Sequence, residues 1–223
     1  MVASPPTSAE RPAALGVFSP RRAGQLAGVS GDRIGRWARY GLIRPTIYRG
    51  RPANRYGFYD VAEAIVVHWL HAQEFSYDEI HTAIERASGE RRSWPLLETP
   101  LGVARHALEQ DRGVIALRTP AGEYVEIGRP GDQVVLEPEL FHQASDTLRA
   151  GGWLAQQLGL TRIEVDPEKL GGAPSLRGHR WPVERVARIA ADREGRALLL
   201  EEHGLDERDI DESVRWTLAA AAL

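Results

Sequence analysis

Cysteine is absent from this 223-residue chain. That excludes disulfides, a thiol nucleophile and cysteine metal sites. Lysine is nearly absent too: Lys169 is the single lysine among 28 basic residues, so arginine carries the positive charge. No apolar run approaches the ~20 residues of a membrane span. The opening residues, MVASPPTSAERPA, lack the apolar centre of a signal peptide. These absences lead us to expect a cytoplasmic protein without a membrane partner. No HExxH, Walker A or dinucleotide glycine pattern occurs. Gly28-Val29-Ser30-Gly31-Asp32 is not the GxSxG turn of a serine nucleophile. No catalytic residue, cofactor or metal is therefore expected, and the chain does not read as an enzyme. His68, His71 and His81 lack a convergent ligand pattern and read as half-buried or solvent-facing.

What is present is charge asymmetry. The chain has a net charge of −3, yet residues 17–59 hold nine arginines against the single acid Asp32. That segment carries +8, which leaves −11 on the remainder. A basic segment joined to an acidic remainder fits a phosphate-binding module.

The order of turn and cap signals gives the organisation. Residues 1–16, rich in Pro, Ala and Ser, read as a disordered tail. Ser19-Pro20 opens a helix with Ala23, Leu26 and Ala27 on one face, closed by Gly28. Ser30 caps a second helix with Ile34, Trp37 and Ala38 facing inward and Arg33, Arg36 and Arg39 off that stripe. Together they predict a helix-turn-helix. Thr46 to Tyr48 and Tyr56 to Tyr59 predict the two strands of a wing, joined by Arg49-Gly50-Arg51-Pro52. Asp60 with Glu63, and Ser76 with Glu79, are capping-box patterns before two further helices. Trp69, Trp153 and Trp216 read as core, and Trp37 as core too despite its place in the second helix.

Residues 91–170 predict a small α+β element. It has a helix over Thr99 to Gln110, strands at Val114 to Leu117, Tyr124 to Ile127 and Val134 to Glu137, and a helix over Glu139 to Ala150. After the Gly171-Gly172-Ala173-Pro174 loop come three short helices, opening near Pro182, around Leu198 and at Asp206 or Asp209. A unit this small is expected to pack on something else. The fold class is thus mainly α with a small α+β middle. A winged helix-turn-helix occupies 17–90, and a three-helix, helix-turn-helix-like domain occupies 171–223.

A second helix studded with arginine can enter a major groove, and flanking arginines neutralise phosphates. The run from Phe18 to Ala87 resembles the DNA-binding domain of the MerR family. The matches are GQLAGVS, Trp37, Arg39, Gly41-Leu42-Ile43, Pro45, Tyr56-Gly57-Phe58-Tyr59-Asp60 and Phe75-Ser76-Tyr77-Asp78-Glu79-Ile80. The resemblance places Arg33, Arg36 and Trp37 on the recognition helix and Arg49, Arg51, Arg55 and Tyr56 in the wing. With Arg21, Arg22, Ser30, Arg39, Arg44 and Tyr48, these are the candidate DNA contacts. Asp32, Gly35 and Gly57 stand where family members commonly carry arginine. No long coiled-coil helix follows the module.

The stretch from Gly171 to Val183, GGAPSLRGHRWPV, resembles the signature of a VapB-type antitoxin domain. His179 and Trp181 replace its usual threonine and isoleucine. The resemblance implies an antitoxin that represses its own operon and pairs with a PIN-like ribonuclease toxin. Arg177, His179, Arg180 and Trp181 are the candidate toxin contacts. Arginine can pair bidentately with the carboxylates that hold metal in such a nuclease. Equally, the same loop can fold back on its own domain. A DNA binder of this kind is expected to act as a homodimer on a palindromic operator. The rival reading is a dimeric MerR-like transcription regulator with no toxin partner.

Overall fold

A computed structural model describes residues 16–87, 93–99, 101–105, 114–118, 124–126, 135–136 and 140–223. The fold is mainly α-helical with small antiparallel sheets, as the sequence reading expected.

The basic segment folds as α1 (Pro20–Ala27) and α2 (Gly31–Arg39). Ser19 and Ser30 cap them, accepting the amides of Arg22 and Arg33 at 3.2 and 3.3 Å. Gly28 takes φ 75°, the left-handed state that lets α1 stop and α2 turn away. Gly24 serves close approach: a Cβ there would lie 2.5 Å from the Val29 carbonyl oxygen.

Next come α3 (Phe58–Ala72) and α4 (Tyr77–Ala87). Ser76 and Glu79 form the expected reciprocal cap of α4. The start of α3 differs from expectation. Gly57 is its N-cap, and Asp60 sits in the first turn, where its carboxylate accepts the Gly57 amide at 2.8 Å. Glu63 is buried inside the helix rather than being part of a cap.

A short helix α5 (Pro95–Glu98) leads into a sheet of β1 (Leu101–Arg105), β2 (Val114–Arg118), β3 (Tyr124–Glu126) and β4 (Val135–Leu136), in the order β3-β2-β1-β4. Val103 pairs with Ile115, and both are buried. The helix expected over Thr99 to Gln110 is therefore corrected at 101–105. Here the chain forms a strand that pairs on both edges, with β2 and with β4. Residues 106–110 lie outside the described residues, as does the expected tail over 1–15.

Helices α6 (Leu140–Arg149) and α7 (Gly152–Gln157) return to the first module. Ala144, Leu148 and Ala155 share one apolar core with Leu26, Ile34, Val61 and Ile65. Gly152 lets α7 lie against α1, since a Cβ there would meet the Leu26 carbonyl oxygen at 2.5 Å. The residues expected to form a separate middle domain thus help to bury the back of the helix-turn-helix.

The chain ends with β5 (Ile163–Glu164), β6 (Ser175–Leu176), α8 (Val183–Ile189), α9 (Arg193–Glu201) and α10 (Glu207–Ala221). Because β5 pairs with β6, a border at 170/171 cuts a hydrogen-bonded unit. This unit has its own small core of Leu176, Val186, Leu199, Leu205 and Ile210. Trp216, Val183 and Ala220 join the larger core instead. The unit leans on the first module, as its size required. Among the described residues, no helix is long and apolar enough to cross a membrane.

Candidate nucleic-acid interface

The site is built on α1, α2 and the hairpin that follows. Tyr48 and Arg55 exchange backbone hydrogen bonds at 3.2 and 2.8 Å, forming the neck of a wing. Its tip is fixed by the Gly50 amide donating to Asn54 Oδ1 at 3.2 Å and by the Tyr48 hydroxyl donating to the Arg51 carbonyl at 3.0 Å. The wing is shorter than the sequence suggested. Tyr56 pairs with Phe18, and Phe58 already belongs to α3.

A hub of hydrogen bonds ties this hairpin to the scaffold. The Asp60 carboxylate accepts from the Thr46 amide and hydroxyl at 2.8 and 2.9 Å, from the Gly57 amide, and from the Trp94 indole at 2.6 Å. Burial raises the Asp60 pKa, and the hydrogen bonds oppose that rise. Glu63, also buried, is raised well above the ordinary carboxylate value by desolvation, while the Leu96 amide donates to it at 3.1 Å.

Between α2 and the wing runs an open groove of roughly 690 Å³ bordered by Arg36 and Arg39, the single acid Asp32, and Gly31, Gly35 and Asn54. Gly35 has no heavy atom within 4 Å of an added Cβ, so the groove floor is bare. Arg21, Arg36, Arg39, Arg44, Arg49 and Arg51 are exposed, while Arg33 and Arg55 are half-buried. The side chains of Arg21, Arg36, Arg39, Arg44 and Arg51 make no ion pair or hydrogen bond with a described residue. Arg49 donates to the Pro45 carbonyl at 3.1 Å, and Arg55 to the Asn54 carbonyl at 3.2 Å. Tyr48 remains 48% exposed beside the tip.

Four candidate contacts are engaged within the fold. Trp37 and Tyr56 are each 1% exposed, so they hold the module together and cannot reach a base edge. Burial correspondingly raises the Tyr56 phenol pKa. Arg22 turns away from the groove to Glu184 at 2.7 Å and lies over the Trp216 ring. Ser30 is the cap of α2. The sequence reading missed Asn54 and the Thr46–Asp60–Trp94 hub. Asn after a Pro-containing turn was the available signal for the first, and nothing local gives the second.

The C-terminal arginines behave differently. Arg162 pairs with Asp206 at 2.8 Å, Arg208 with Glu212 at 2.9 Å, and Arg196 with both Glu207 and Asp211. Glu212 also accepts the Thr161 and Arg162 amides, each at 2.7 Å. Burial works against its charge, but those amides and Arg208 bring its pKa below the ordinary value.

Of the candidate toxin contacts, Arg177 donates to the Thr161 carbonyl at 3.2 Å. Trp181 packs on the small core, under the Arg185 guanidinium and beside the His203 ring. Those two serve their own unit. His179 is half-buried and Arg180 is exposed.

His68 lies beside the Trp153 ring, and burial, followed by the charges of Arg33 and His71, lowers its pKa. His71 stacks on Tyr77. Among the described residues, no three His, Asp or Glu side chains form a metal-sized group.

A family model described as "Protein of unknown function (DUF433)" matches residues 163–216, from β5 into α10. No curated protein and no solved structure matches the chain.

Proposed function

We propose that this chain binds double-stranded DNA as a homodimer on a palindromic operator, represses its own operon, and neutralises a PIN-like ribonuclease toxin. The observation that carries the DNA reading is the contrast between two sets of arginines. Arg162, Arg196 and Arg208 are neutralised by acids of their own unit. Arg36 and Arg39, which border the groove between α2 and the wing, have no such partner among the described residues, and neither do the exposed Arg21 and Arg51. Unpaired guanidinium groups at that spacing suit a polyanion, and the bare Gly35 surface allows close approach of a backbone. In this reading α2 enters the major groove, Arg36 and Arg39 meet base edges or phosphates, and Arg49 and Arg51 follow the backbone from the wing.

The antitoxin part rests on the GGAPSLRGHRWPV resemblance. Arg180 is the side chain left facing outward for a toxin's carboxylates, because Arg177 and Trp181 are engaged within their own unit. The test is co-purification with the product of the adjacent gene, followed by binding to the chain's own promoter at several salt concentrations. A stable pair and steep salt dependence are expected. DNA binding without a partner leaves the rival regulator reading. Absence of both overturns the proposal.

A further inference from the structure

A second cleft, of roughly 610 Å³, opens on the other side of α2, against α4. Its walls are rings and one aliphatic side chain: Tyr40, Leu42, Tyr77 and His81. Arg33 and Arg36 supply two positive charges, against the single acid Asp78. The Arg33 and Arg36 side chains make no ion pair or hydrogen bond with a described residue. Tyr40 is 64% exposed, so a face of its ring is open to stacking.

Trp37 also lines this cleft. It is 1% exposed, and its indole N–H has no hydrogen-bond partner. Tyr77 meets its ring edge-on, with centroids 6.5 Å apart, and supplies no acceptor to that N–H. A buried donor left unpaired is destabilising and uncommon in native proteins.

We propose that this cleft binds a small planar aromatic carboxylate. The ring lies among Tyr40, Tyr77 and His81, against the part of Trp37 that lines the cleft, and the carboxylate pairs with Arg33 and Arg36. The volume suits a small molecule. Two planar guanidinium groups suit a carboxylate. A phosphate of DNA can meet Arg36 from outside, but it brings no ring to stack among Tyr40, Tyr77 and His81. Arg36 also borders the groove against the wing, so the ligand competes with DNA for it. That consequence rests on the DNA-binding reading, whereas the ligand site does not.

The test uses the full chain with nitrogen-15 in its six tryptophan indoles. Trp37→Phe identifies the Trp37 signal. If that variant does not fold, proximity to the Tyr77 ring identifies it instead. Benzoate, 4-hydroxybenzoate and indole-3-carboxylate are each titrated to about 10 mM, with 3-methylindole as the uncharged counterpart, a range that captures millimolar binding. Saturable movement of the Trp37 signal by at least one carboxylate is expected. Arg33→Ala with Arg36→Ala should weaken that carboxylate by about tenfold or more and leave 3-methylindole unchanged. An immobile Trp37 signal with all three carboxylates overturns the proposal. So does equal binding of 3-methylindole and the carboxylate. Ligand binding without any promoter binding would leave this site standing and remove the DNA reading. Promoter binding with an immobile Trp37 signal would do the reverse.

Discussion

Arg22 Nη2 donates to Glu184 Oε2 at 2.7 Å, across 162 residues of chain. The same guanidinium lies 5.6 Å from the centroid of the Trp216 ring, and Gln25 one turn later donates to the Ala220 carbonyl at 2.9 Å. The first helix of the helix-turn-helix and the C-terminal unit therefore share one contact. An arginine from the most basic segment of the sequence is used internally, and any movement of α8 or α10 acts directly on α1.

That contact should be measurable by a double-mutant cycle. Arg22→Glu is expected to destabilise the chain, and adding Glu184→Arg is expected to restore most of the loss. Glu184 keeps 47% of its side-chain surface exposed, so solvent weakens the pair and the coupling should be ~0.2–1 kcal/mol. Urea denaturation at low and high salt checks it. Zero coupling at low salt would mean that the two units are not joined here.

Arg36→Ala with Arg39→Ala is expected to weaken promoter binding and flatten its salt dependence. Each lost phosphate contact reduces the slope of log K against log salt by ~0.9. The melting temperature should stay within about 1 °C, since both side chains are exposed and make no ion pair with a described residue. Arg196→Ala should do the opposite, because Arg196 bridges Glu207 and Asp211: lower stability, with promoter affinity unchanged. An unaltered salt slope in the first variant would remove α2 from the interface.

Much of this was legible in the sequence because it is local. Ser19, Pro20, Gly28 and Ser30 act within one turn of their own position, and so do Ser76 with Glu79 and Asp206 at the start of α10. Charge is local too, which is why the exposed arginines of α1, α2 and the wing were found. The failures are contacts between distant residues. Arg22 and Arg36 look alike in sequence as members of a basic helical segment, yet one is drawn to Glu184 and the other is left exposed. Thr99 to Gln110 has helical composition over its length, but pairing of Val103 with Ile115 decides the first half. The wing was expected too long because Tyr56 to Tyr59 reads as strand, whereas here Gly57 caps α3 with the help of Asp60.

Two glycines inside helices, Gly24 in α1 and Gly35 in α2, separate packing from propensity. Gly24→Ala would put a Cβ 2.5 Å from the Val29 carbonyl oxygen and 2.8 Å from the Ser30 carbonyl carbon, and backbone atoms cannot swing aside. A loss of ~1–3 kcal/mol is expected. Gly35→Ala meets nothing within 4 Å in the middle of α2, so the helix should gain ~0.5–1 kcal/mol from lower chain entropy in the unfolded state. Thermal melts of both variants decide this. Equal effects would mean that the turn between α1 and α2 is looser than described.

Two buried carboxylates should give pH dependences of opposite sign. Burial raises the pKa of Glu63 well above its ordinary value, so the neutral acid is the form the fold favours. Its stabilisation is complete below the ordinary carboxylate range and is lost as pH rises through the raised value. Glu63→Gln keeps an acceptor for the Leu96 amide and cannot ionise. It should melt higher than the parent above that raised value and equal to it in mild acid. Glu212 is the reverse case. Its charge is opposed by burial but held by the Arg162 and Thr161 amides and by Arg208, and its pKa is lowered. Its contribution is present above the ordinary carboxylate range and fades as pH falls through the lowered value. Glu212→Gln should therefore lose ~1–3 kcal/mol at neutral pH, where a charged acceptor of four hydrogen bonds becomes a neutral one. The deficit should close on acidification. Melting curves of the parent and both variants across this range test the pair together. If both differences have the same sign at neutral pH, one of the two carboxylates does not have the surroundings given for it here.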